Sequence, residues 1–126
     1  MTRRYTLFVL AALIAALALS ACTGGPTPPP SGKSFIATAT EFAFSPNTFT
    51  AKVGEETTFV VTNKGTLEHN FVAFDPSGTE LARVTIKVGE SASVTLKPAA
   101  AGAYLIDCDI PGHKEAGMTA TLTVNP

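Results

Sequence analysis

Charge is scarce in this chain, tryptophan is absent, and no stretch reads confidently as a helix. Only 15% of the 126 residues are Asp, Glu, Lys or Arg. With Arg3 and Arg4 set aside as part of a leader, seven basic residues stand against ten acidic ones, a net charge of −3. Such a mildly acidic surface excludes a nucleic-acid role, which needs a basic patch. The apolar run from Leu7 to Leu19 is 13 residues long, short of the roughly 20 that span a bilayer comfortably. Cysteine is nearly missing: Cys22 and Cys108 would allow one disulfide in an exported protein, but their contexts argue against pairing. The length suffices for one small domain.

What is present at the N-terminus is an export signal. Arg3 and Arg4 form a positive n-region, the Leu7–Leu19 run fits a signal h-region, and Leu19-Ser20-Ala21-Cys22 resembles the bacterial lipoprotein box. Cys22 is then expected to carry lipid and become the new N-terminus after removal of residues 1–21. A lipidated Cys22 cannot pair with Cys108, which leaves Cys108 as a lone thiol in an oxidising compartment and favours a metal-bound thiolate. Residues 22–33 continue as a Pro- and Gly-rich linker, with four prolines among the eleven residues from Thr23 to Lys33. At roughly 3 Å per residue this semi-extended spacer reaches on the order of 30 Å from a membrane.

Residues 34–126 carry β signals throughout. Phe49, Ala51 and Val53 alternate with polar neighbours, as do Phe59 and Val61, Val84, Ile86 and Val88, and Ala92, Val94 and Leu96. Turn residues punctuate these runs at Ser45-Pro46-Asn47, Val53-Gly54-Glu55, Asn63-Lys64-Gly65, Asp75-Pro76-Ser77-Gly78 and Val88-Gly89-Glu90. Short strands at this spacing predict an all-β sandwich of about eight strands, at 35–42, 48–53, 57–62, 69–74, 80–88, 91–96, 102–108 and 118–124. Ala99–Ala101 reads as loop. Phe42, Phe44, Phe49, Phe59, Phe71 and Phe74 are the expected core.

Rare residue types coincide near the C-terminus. In Tyr104–Val124, Y-L-I-D-C-D-I-P-G-H-K-E-A-G-M-T-A-T-L-T-V, Cys108, His113 and Met118 stand five positions apart. Ile110-Pro111-Gly112 marks a turn, so the three donors lie on one loop between two strands. The only other histidine, His69, opens the strand H-N-F-V-A-F. A thiolate, two imidazoles and a weak thioether form the donor set of a blue-copper electron-transfer site, whereas zinc seldom takes a thioether. Asp107 and Asp109 flank Cys108 and are expected to face away from it as a solvated rim.

This chain resembles the cupredoxin family of type 1 blue-copper proteins. The likeness rests on H69-N70, the Cys108–Met118 loop and the opening F-A-F-S-P-N-T-F-T-A-K-V-G-E, and it covers residues 34–126. The Cys-x4-His-x4-Met spacing is most similar to the rusticyanin and sulfocyanin types. The resemblance implies a Greek-key β-sandwich holding one copper ion, with His69, Cys108 and His113 as trigonal ligands and Met118 as the long axial one. It also implies that Asn70 ties the two ligand loops together beside the thiolate. On this reading the protein is a monomeric electron carrier and not an enzyme, held by lipid at Cys22 on the outer face of a bacterial membrane, in the periplasm or at the cell surface. It would pass single electrons between redox proteins such as cytochromes or respiratory complexes. The alternative is a copper chaperone or delivery protein, which Met- or His-rich tracts would favour; residues 34–126 have one Met and two His.

Overall fold

A computed structural model describes residues 32–126; the expected leader, Cys22 and most of the linker lie outside the described residues. Nine strands follow one another: β1 (Gly32–Thr40), β2 (Ala43–Ser45), β3 (Thr48–Lys52), β4 (Glu56–Asn63), β5 (His69–Phe74), β6 (Glu80–Ile86), β7 (Ser91–Leu96), β8 (Gly102–Asp107) and β9 (Thr119–Asn125). They form two sheets, ordered β2-β1-β4-β7 and β3-β9-β8-β5-β6. Each sheet contains one parallel pairing, β1 with β4 and β3 with β9, and otherwise runs antiparallel. The expected all-β sandwich is what forms.

The alternation seen in the sequence turns alternate side chains into the space between the sheets. Phe59 and Val61 on β4 and Ala37 and Ala39 on β1 meet Phe49, Phe71, Tyr104, Ile106 and Leu122 from the second sheet, all nearly or fully buried. The phenylalanines form a chain of rings. Phe49 meets Phe59 at 5.0 Å between centroids, Phe59 meets Phe71 at 5.1 Å, and Phe71 meets Phe44 at 5.2 Å. Each buried ring contributes about 1.5–3 kcal/mol through area removed from water, with a further increment from edge-to-face geometry. Among the described residues there is no disulfide to assist, since Cys108 is free.

Three expectations need correction. The predicted strand 35–42 is two strands: Thr40 pairs with Ala43 across a tight reversal at Glu41-Phe42, and Phe42 adopts φ 64. That turn carries Phe42 out of the expected core, leaving it 40% exposed. A bulky residue with positive φ is uncommon and strained; here the ring lies against His113. The predicted strand 80–88 stops at Ile86, because Lys87–Glu90 closes a turn (Glu90 N–H to Lys87 C=O, 3.0 Å) and exposes Val88. Phe74 is only half-buried, at the end of β5 where its register with β6 shifts. Ala99–Ala101 is loop as expected, and the Tyr104 hydroxyl donates to the Ala100 carbonyl at 2.9 Å.

Candidate metal centre

One end of the second sheet gathers the donors. His69 is the first residue of β5, Cys108 follows the last residue of β8, and Met118 immediately precedes β9. Since β8 lies between β5 and β9, sheet order alone brings three donors from distant parts of the chain to neighbouring strand ends. The fourth, His113, comes back to this point through the loop's own hydrogen bonds. His113 N–H donates to Ile110 C=O (3.0 Å), Met118 N–H to His113 C=O (3.0 Å), and Cys108 N–H to Met118 C=O (3.1 Å). Gly117, at φ 104, supplies the left-handed turn before Met118 that most residues would resist.

The loop that delivers His69 is locked from both sides. Inside, the buried Asn63 amide donates to the carbonyls of Leu67 (2.7 Å) and Ile86 (3.0 Å). Outside, the Glu41 carboxylate accepts from the backbone N–H groups of Thr66 and Leu67 and from the Thr66 hydroxyl. Those bonds, the Thr66 N–H first, pull the Glu41 carboxyl from 4.5 to about 2. Gly65 leaves room for this carboxylate, since a Cβ there would stand 2.6 Å from Glu41 Oε1 and push it aside.

The result is a buried cluster. His69 and Cys108 have no exposed surface and His113 retains 7%. His69 Nδ1 and His113 Nδ1 are 3.2 Å apart, Cys108 Sγ is 3.4 Å from His113 Nδ1, and the donor atoms of all three residues lie within 4.8 Å of one another. Met118 is fully buried in the same core cluster as Cys108. Burial, and then the neighbouring His113, push the His69 imidazole towards its neutral form, the form that ligates metal. Two ring nitrogens and a sulfur thus face one small buried space, an arrangement suited to a cation held among them. The donors are soft and borderline, and with Met118 beside them the set fits copper better than zinc or a hard cation.

Around the thiolate, the partners of Asn70 and the surroundings of the two flanking aspartates go beyond the sequence reading. Asn70 backbone N–H donates to Cys108 Sγ at 3.3 Å. Its side-chain Nδ2 donates to Asp109 Oδ1 (2.7 Å), while its Oδ1 accepts from the Thr85 hydroxyl (2.8 Å). Asp109 is therefore not a passive rim residue: the Arg83 guanidinium and then the Asn70 amide hold its carboxyl below the usual range. Asp107 is not a rim residue either. Alternation does turn it away from Cys108, but it is 1% exposed because Lys114 folds over it in an ion pair. Its Oδ1, like His69 Nε2, has no hydrogen-bond partner among the described residues. The Phe42 ring stands edge-on to His113 at 5.2 Å. The sequence reading runs a strand through Phe42 and holds no signal for this contact.

The model of a family described as copper binding proteins, plastocyanin/azurin family, matches residues 33–125. The chain is a cupredoxin. Copper is its metal, and the sandwich described above is the family's fold. Auracyanin-B of Chloroflexus aurantiacus is 54% identical to it over 41 residues, 32% of this chain and 17% of that protein. The copper-resistant cuproprotein CopI of Rubrivivax gelatinosus is 31% identical over 97 residues, 64% of this chain and 59% of that protein. Chloroplastic plastocyanin of Oryza sativa subsp. indica is 38% identical over 91 residues, 65% and 54% of the two chains. The matches thus span about a sixth to three fifths of those relatives' lengths. Among solved structures, auracyanin B superposes with a TM-score of 0.70 at 24% identity, covering 79% of this cupredoxin and 94% of that chain. Dithionite-reduced auracyanin of Roseiflexus castenholzii gives 0.69 at 21% identity, covering 76% and 99%.

Proposed function

We propose that this cupredoxin is a type 1 blue-copper electron carrier that passes single electrons between redox proteins such as cytochromes or respiratory complexes, and is not an enzyme. The observation that carries the reading is the buried convergence of His69, Cys108 and His113, with donor atoms within 4.8 Å of one another. These three would hold the metal, and Met118 would approach it as the weak axial donor. Copper bound there supplies one-electron chemistry, because thiolate and thioether favour Cu(I) while imidazole serves both states. The protein's part is to bury the donors, to fix them through the hydrogen bonds of Asn63, Glu41 and the 108–118 loop, and to leave His113 near the surface under a loop containing Pro111, Gly112, Ala116 and Gly117. A monomer on a lipid tether at Cys22, on the outer face of a bacterial membrane, in the periplasm or at the cell surface, completes the proposal.

Titrating the full chain with Cu(II) should give one equivalent bound and an intense visible thiolate band that reduction bleaches. A colourless protein at full occupancy, or a colour that survives Cys108→Ser, would overturn the assignment. For the tether, wild-type protein should sediment with membranes and processed Cys22→Ser should not; equal retention argues against lipid at Cys22.

A second reading is copper delivery, favoured by the 31% identity to a protein named for copper resistance. Burial of all three donors speaks for retention over transfer. Rapid exchange of bound copper with a chelator would favour delivery, and slow exchange the carrier.

A further inference from the structure

Arg83 lies on β6, a strand that contributes no donor, yet its guanidinium is bound into the surroundings of the thiolate. The pairing of β5 with β6 sets Asn70 opposite Thr85 and Val72 opposite Arg83. Thr85 and Arg83 are two apart and so share one face of β6, the face on which the Asn70 side chain lies. From there Thr85 donates to Asn70 Oδ1 at 2.8 Å. Arg83 Nη2 reaches Asp109 Oδ2 at 2.7 Å, and Asp109 Oδ1 accepts from Asn70 Nδ2 at 2.7 Å. Glu80, three residues before Arg83, accepts from Nε at 3.0 Å and from the same Nη2 at 2.8 Å. Both ends of the Asn70 amide are therefore held, one by Thr85 and the other by an aspartate that Arg83 holds in turn.

That restraint matters because of where Asn70 sits. Its backbone N–H is the donor to Cys108 Sγ, at 3.3 Å, and it directly follows His69. Hydrogen bonds to a ligating sulfur withdraw electron density from it and tune the potential of the metal it holds. We propose that Arg83 is a positioning residue: by clamping Asp109 it fixes Asn70 and, through the Asn70 N–H, the hydrogen bond to the Cys108 thiolate, so that the reduction potential is set in part from β6. The inference rests on the copper-site reading above. Glu80 aims the clamp, and the planar fork matters, since a lysine could pair with Asp109 but could not keep the two-point contact with Glu80 that fixes the direction of the guanidinium.

The test uses the full chain loaded with copper. Wild type, Arg83→Gln, Arg83→Lys and Lys87→Gln are compared for visible spectrum, for the ratio of oxidised to reduced protein in a fixed redox buffer, and for solvent exchange of the Asn70 backbone N–H in the diamagnetic Cu(I) form. Lys87→Gln removes the same charge from an exposed position just past β6, outside the hydrogen-bonded network. Arg83→Gln should keep its copper, move the thiolate band, speed Asn70 N–H exchange and change the ratio by about two- to tenfold, the scale of one net hydrogen bond. Arg83→Lys should move the band in the same direction, and Lys87→Gln should leave it still. The proposal is overturned if Arg83→Gln keeps the wild-type band and exchange rate, or if Arg83→Lys restores both fully, since charge alone would then account for the effect. A wild-type protein with copper but no thiolate band would refute the site reading itself, a result distinct from either of these.

Discussion

The two sheets divide the work unequally. The sheet β2-β1-β4-β7 contributes no donor. Its outer face presents Ser34, Ile36 and Thr38 on β1, Thr58, Val60 and Thr62 on β4, and Ser91, Ser93 and Thr95 on β7, with charge only at Glu56 where β4 begins. Hydroxyls pair across the strands, Thr58 with Thr95 at 2.8 Å and Thr62 with Ser91 at 2.7 Å. The sheet β3-β9-β8-β5-β6 holds His69 on β5, with Cys108 and Met118 at strand ends, and on its β6 edge lies the Arg83–Asp109–Asn70 network. The two share a core, yet one supplies burial and, through Asn63 at the end of β4 and Glu41 in the β1–β2 turn, the bonds that hold the His69 loop, while the other carries the donors. In a sandwich this small, function can concentrate on one sheet because the opposite sheet supplies the burial that holds it.

The contrast is sharpest in the core. Phe59→Ala on β4 should destabilise the fold by about 3–5 kcal/mol, read as a lowered denaturation midpoint, while the folded, copper-loaded fraction keeps the wild-type spectrum. Cys108→Ser should do the reverse, leaving a cooperatively folded protein without the thiolate band. If Phe59→Ala shifts the band, the two sheets are not separable in this way.

A smaller effect is expected at Met118. Met118→Gln should lower the reduction potential and Met118→Leu should raise it, with copper kept in both, because an amide oxygen favours Cu(II) and an alkyl group offers no ligand. Loss of copper from both variants, measured by metal analysis, would make Met118 a full ligand. At the loop surface, Ala116→Asp should slow electron exchange with a redox partner by putting charge beside His113, whereas a charge change at exposed Lys87 should not. Equal, wild-type rates for both would move the docking surface elsewhere. The smallest change is predicted for Glu41. Its carboxyl is depressed to about 2 in the folded protein, so its contribution is complete above about pH 4.5 and fades as pH falls towards 2. Glu41→Gln should therefore narrow the stability gap between pH 6 and pH 2.5 in acid-unfolding curves; an unchanged gap would mean that the carboxylate's bonds to Thr66 and Leu67 do not stabilise the fold.

Legibility in the sequence follows the same division. Strands such as β3 and β4 alternate cleanly between buried and exposed, so their pattern predicted both their existence and their inward residues. The donors stood out because their residue types are rare and coincide in one loop. What escaped was everything set by the loop folding back. Asp107 points outward as alternation requires, but Lys114 covers it, and β8 ends in consecutive buried residues that a period of two does not anticipate. Phe42 left the core because a two-residue reversal at Glu41-Phe42 interrupts what looked like one long strand. Arg83 and Thr85 read as the polar face of a strand, and only the register of β6 on β5 brings them to Asn70.

The parallel pairings have a consequence for the order of events in the protein's life. β1 waits for β4, β3 finds its partner only in β9, the last strand, and His69 meets Cys108 across nearly forty residues of chain. Such distant pairings make assembly slow, in the millisecond-to-second range typical of sandwiches dominated by non-local contacts. None of the pocket exists in a partly synthesised chain, since the wall holding Met118 is closed by the strand that ends at Asn125. Until that strand docks, Cys108 is a bare thiol open to oxidation, and it gains the shelter of the closed site only when the β8–β9 hairpin takes its place.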